Sequence, residues 1–131
     1  MSAIKNANMT YIVMSADRLG DSGLEAIQRN LEMQFQLVID GFEYKRGTGR
    51  FQGNEESIFM VSVPVYKDVG YLRKIAREFE QESILEIKQG YGWLLYSDGT
   101  EEYIGSVFEA TGREESYTQV GSKLFTIRKG A

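Results

Sequence analysis

The chain contains no cysteine, no histidine, one proline and one tryptophan. Without cysteine there is no disulfide, no thiolate metal site and no thiol nucleophile. The missing histidine excludes more, because it removes the commonest general base, the base of the serine triad and the commonest metal ligand together. Any enzyme built on this chain works with carboxylates, tyrosines, lysines and backbone amides, and no metal site is expected. No apolar run approaches the roughly 18 residues that span a bilayer, so no membrane role is expected. The opening MSAIKNANMT lacks the apolar stretch of a secretion signal, which points to the cytoplasm. Basic residues are in deficit as well. Fifteen Lys and Arg stand against nineteen Asp and Glu, a net charge of −4, the wrong sign for a nucleic-acid surface.

What is present suits one globular domain over residues 1–131, with 42% hydrophobic and 26% charged residues. MTYIVMSA (9–16) reads as a first strand. DSGLEAIQRNLEMQFQ (21–36) reads as a helix opened by a capping box, Ser22 with Glu25. Its Leu24, Ile27, Leu31 and Phe35 recur at helical spacing and predict a core-facing stripe. LVIDGFEYKRG (37–47) predicts a strand or irregular edge, and the glycine-rich GTGRFQG (47–53) a loop. SIFMVSVPVY (57–66) is the clearest strand, with Pro64 near its end. A second helix follows from about Asp68, with Val69, Leu72, Ile75, Ala76 and Phe79 on its apolar face. SILEIK, YGWLLYS, EYIGSVFE and KLFTIRK supply three or four further strands. The order predicts an α+β fold: a ferredoxin-like βαββαβ antiparallel sheet, two helices on one face, and extra C-terminal strands. The second face of such a sheet needs a cover, and oligomerisation is one way to supply it.

Two adjacent carboxylates, Glu55 and Glu56, precede the central strand. Side chains alternate across a strand. Phe59, Val61, Val63 and Val65 therefore share one wholly apolar face, while Ile58, Met60 and Ser62 share the other. Continuing the pleat backwards puts Glu55 on the helix side and Glu56 on the open side, where a partly desolvated carboxylate would hold a cation strongly. A solvated pair of loop charges is the other reading of the same residues. In REFEQES (77–83), Glu78, Glu80 and Glu82 crowd a helix C-terminus against its macrodipole. Gln81 beside them can donate and accept, which suits a small polar ligand; a solvated helix end is the alternative. In SADR (15–18), Ser15 and Arg18 at a strand end could bind a carboxylate or simply form a turn. Trp93 and Tyr96 read as packing residues.

Six segments, YIVMSADR, GFEYKRG, GNEESIFMVSV, REFEQESILEIKQGYGWLLYSDG, GSVFEATG and GSKLFTI, together resemble the phage-encoded S-adenosylmethionine-degrading enzymes, called hydrolases and more recently lyases. The resemblance implies a ferredoxin-like subunit in a homotrimer, with active sites between subunits and S-adenosylmethionine as substrate rather than cofactor. It places the central glutamate at Glu56 with Glu55 beside it, a glutamine at Gln81 next to Glu82, and a tyrosine at Tyr44, with Phe51 competing for that position. It also implies a role in depleting the host's methyl donor and so blunting restriction. The chemistry suits a protein without histidine. A sulfonium leaves as a neutral thioether and needs no general acid, and the substrate's own carboxylate can close a lactone without an enzymic nucleophile. Hydrolysis, with Glu56 as base for a water, uses the same residue. A ferredoxin-like interaction module, or a ligand-binding protein without chemistry, is the reading from another class.

Overall fold

In the computed structural model, which describes residues 9–18, 20–64 and 67–129, the chain runs β1 (Met9–Met14), α1 (Gly23–Ile39), β2 (Glu43–Phe51), β3 (Asn54–Pro64), α2 (Gly70–Glu78), β4 (Ser83–Lys88), β5 (Tyr91–Tyr96), β6 (Glu101–Glu109), β7 (Tyr117–Val120) and β8 (Lys123–Arg128). The sheet follows the order β1-β3-β2-β7-β8-β6-β5-β4. Every neighbouring pair is antiparallel, and β4 pairs back onto β1, Tyr11 opposite Ile87. The sheet is a closed barrel of eight strands.

This overturns the open ferredoxin-like sheet. The expected fold treated everything after β4 as appended hairpins. Instead β5, β6 and β8 extend the sheet from the free edge of β4, and β7 bridges the remaining gap to β2. Closure removes the unpaired edges an open sheet would present. β7, with four residues, is too short to show the alternation that marks a strand, yet it completes the ring. The face of Ile58, Met60 and Ser62 is therefore the barrel interior, covered by the chain's own strands and not by a second subunit. Val65, assigned by the pleat to the opposite face, lies outside the described residues.

The GTGRFQG segment is strand rather than loop. β2 runs through Gly47 and Gly49 to Phe51, and only Gln52 and Gly53 turn, at φ 51° and 84°. A left-handed pair of this kind makes the two-residue turn whose twist suits a hairpin. Gly47 is required by proximity, since a Cβ there would stand 2.2 Å from the Gln119 carbonyl oxygen of β7. Glycine in this strand marks close approach of another backbone.

Two apolar clusters result. One lies outside the barrel under both helices: Ile12, Phe59, Val61 and Val63 from the sheet, Met33 and Leu37 from α1, Leu72, Ile75 and Ala76 from α2. The other fills the barrel with Val13, Ile58, Met60, Ile87, Val107, Val120 and Phe125. The stripe predicted for α2 thus faces the core, with Val69 and Phe79 packed at its ends. The stripe predicted for α1 does not. Its capping box is present, but Leu24, Ile27, Leu31 and Phe35 are 77, 60, 59 and 67% exposed, and Val38 and Ile39 join them. The buried ridge is Asn30, Met33 and Leu37, disguised in the sequence by the polar Asn30. The helix also continues through Leu37–Ile39, which the sequence suggested as strand. Among the described residues no helix is long and apolar enough to cross a membrane.

Candidate active site

A cavity of about 240 Å³ opens at the end of the barrel where β1 finishes and β3 begins. Inward-facing positions of the strands give it apolar walls, among them Val13, Ile58, Leu85, Leu94 and Phe125. Glu56 lines it too, two residues before Ile58 and on the same face of β3, opposite the buried Gly49 of β2. Because Gly49 has no side chain, nothing on β2 stands directly across from this carboxylate.

Glu56 is half-buried, and burial is the main reason its pKa rises to about 7 from an ordinary 4.5. The charge of Asp17 pushes the same way, and the nearby Ser15 hydroxyl opposes both. Arg50 lines the same cavity but pairs with Glu55, and among the described residues no cation offsets the burial of Glu56.

The end of β1 fixes the surroundings. Ser15 is buried; its hydroxyl donates to the Ser57 carbonyl at 2.8 Å and accepts from the Asp17 amide at 3.0 Å. Asp17 accepts from the Ser57 amide at 2.7 Å and from the Asn30 side chain at 2.6 Å. Arg46 donates to Asn30 at 3.0 Å while its guanidinium lies 4.1 Å from the Phe59 ring centre. These bonds clamp β1, β2, β3 and α1 together directly behind Glu56. Gln81 joins them, its amide donating to the Asp17 carbonyl at 2.8 Å.

Of the residues singled out from sequence, Ser15, Glu56, Gln81 and Glu82 line this one cavity. Three others lie elsewhere. Glu55 is exposed and pairs with Arg50 at 3.0 Å. Arg18 is committed to Glu80, with two bonds of 2.9 Å, and to Asp21 at 3.3 Å. Tyr44 sits on the outer face of β2, its ring 5.5 Å from that of Phe59 in the helix-side core. Phe51, its competitor, is at the cavity mouth and 45% exposed. The acidic end of α2 is answered by arginines: Arg29 donates to the Phe79 carbonyl and lies 3.9 Å from Glu80. Sequence reasoning passed over Asp17 and Asn30. Asp17 was visible inside SADR, but nothing local distinguishes an anchoring aspartate from a turn residue.

A family model for the S-adenosylmethionine lyase family matches residues 12–128 of the chain. No curated protein matches it.

Proposed function

The chain belongs to the S-adenosylmethionine lyase family, and from that premise we propose that Glu56, in the barrel mouth, grips the substrate's cation while the substrate cyclises on itself. Membership makes the protein an enzyme that cleaves S-adenosylmethionine. The reading of how it does so rests on one observation, a half-buried carboxylate with a pKa of about 7 in a cavity whose inner walls are apolar strand residues.

The steps follow from the substrate. One oxygen of its carboxylate attacks the γ-carbon and forms the new C–O bond. The C–S bond breaks, its electron pair goes to sulfur, and the sulfonium departs as neutral 5′-methylthioadenosine. The methionine part is left as homoserine lactone. No proton moves in this step, so the protein supplies no acid or base. Its work is to fold the chain into attack geometry, for which intramolecular reactions gain effective molarities on the order of 10⁵ M. Carboxylate and sulfonium neutralise each other as the bond forms, and an apolar chamber favours that transition state over the separated charges. Glu56 binds the positive end of the substrate, and a cation there favours the ionised carboxylate. Gln81 and Ser15 orient polar groups, Glu82 stands at the rim, and Glu55 stays outside as the partner of Arg50. Tyr44 serves as packing behind β3 rather than as a group touching substrate.

The enzyme in this reading is a homo-oligomer, a trimer by the family resemblance, whose copies complete the open cavity mouth. The exposed stripe of α1 supports self-association. Leu24, Leu31 and Val38 recur every seven residues with Ile27 and Phe35 beside them, the spacing of a helix-to-helix seam. Burying such side chains is worth roughly 1.5–3 kcal/mol each when complete. A phage origin and an anti-restriction role belong to the same proposal.

Product analysis tests it. Purified protein incubated with S-adenosylmethionine is expected to yield methylthioadenosine and homoserine lactone, with homoserine appearing only later as the lactone opens. Homoserine formed at once, without lactone, would assign Glu56 as base for a water, a role its pKa also suits. Unchanged substrate would overturn the reading.

A further inference from the structure

The barrel has a second opening at the opposite end, with a cavity of about 470 Å³. Phe125, 1% exposed, lines both cavities and divides them. The two ends differ in charge. The first carries Glu56 and Glu82 beside a single arginine, Arg50, whereas the second is lined by Lys45, Arg46 and Lys123 and by no acidic side chain.

The strand registers explain the arrangement. Lys45 lies across from Met60, and Lys123 across from Val120, so both lysines stem from inward-facing positions. Ser62 and Tyr11 face each other on the same side of the β1–β3 ladder and line the same cavity. Arg46 is turned away, its guanidinium occupied by Asn30 and Phe59. Neither Lys45 nor Lys123 makes an ion pair among the described residues. Glu43 lies across from Ser62 and Glu109 across from Phe125; both are exposed and neither lines the cavity. Burial raises the pKa of Tyr11, which keeps its phenol protonated.

Two ammonium groups without carboxylate partners among the described residues, at a cavity that also carries the hydroxyls of Tyr11, Ser62 and Ser122, form a receptor for an anion. In a chain of net charge −4 this is a local reversal of sign. We propose that this far end of the barrel binds a small polyanion bearing phosphate or carboxylate groups, held by Lys45 and Lys123. The site is distinct from the Glu56 cavity and does not depend on the reading given for it.

Calorimetric titration at low ionic strength tests the proposal, with inorganic pyrophosphate as one probe and citrate as the other. Binding of either in the submillimolar range, weakened at least tenfold in the double variant Lys45→Gln, Lys123→Gln, is expected. Pyrophosphate alone would identify phosphate as the ligand chemistry, and citrate alone carboxylate. The double variant should keep its circular dichroism spectrum and its rate on S-adenosylmethionine, and Glu56→Gln should bind the anion as wild type does. Absence of binding by both probes, or equal binding by the double variant, would overturn the site while leaving the lyase reading untouched.

Discussion

Among single residues, the direction in which Glu56 points decides the chemistry of the cavity. The pleat of β3 gave that direction correctly, because alternation carries through from Ile58 to the strand's first residues. The pleat could not reveal what waits on that side, nor that Asp17 and Asn30 brace it, since those contacts join residues far apart in sequence. A carboxylate whose pKa rises to about 7 on folding weakens the fold at neutral pH. Below the unfolded value near 4.5, both states are protonated and nothing is lost. Between about 4.5 and 7 the unfolded chain ionises freely in water while the folded one stays largely protonated, so stability falls across that window and is level above it. After allowance for partial solvent contact the penalty is on the order of 2 kcal/mol. Glu56→Gln should therefore melt roughly 4–8 °C above wild type at pH 8 and level with it at pH 4. Thermal melts at both values check this; a variant less stable than wild type at pH 8 would contradict the burial argument.

Among the elements, helices and long strands were legible and the ring they form was not. Both helices announce themselves by periodicity, and α1 by its capping box as well; α2 starts at Gly70 with Val69 rather than Asp68 as its N-cap and buries the face its pattern indicates. α1 has two candidate faces, and the more apolar one is exposed. The pattern shows that a stripe exists, but not what covers it. β2 was half missed because glycines that mark close packing look the same in sequence as glycines that mark a loop. Gly47→Val separates the two meanings. Its added side chain would collide with the Gln119 backbone, prising β7 from β2 and opening the barrel. Denaturant titration should show a loss of more than about 3 kcal/mol, toward the severe end for single substitutions. A change below about 1 kcal/mol would mean that β7 does not close the sheet as described.

For the whole molecule, closure through a four-residue strand turned an expected subunit interface into an interior. That moved the candidate self-association surface from the sheet to α1. Leu31→Glu with Phe35→Glu places two charges in the exposed stripe without touching the buried ridge of Asn30, Met33 and Leu37. Light scattering should report an oligomer for wild type and a monomer for this variant, with an unchanged circular dichroism spectrum. A monomeric wild type would remove the shared-mouth part of the proposal. The central claim, an ionised Glu56 gripping a cationic substrate inside the barrel, is tested most directly by kcat/KM for S-adenosylmethionine across pH in wild type and Glu56→Gln. The free enzyme's essential ionisation appears in that ratio. Wild type is expected to rise about tenfold per pH unit up to a bend near 7 and to be level above it. The variant should show no such bend and lie at least about 100-fold lower at pH 8, the scale of losing one well-placed electrostatic group. A variant within a few-fold of wild type, with the bend intact, would contradict it.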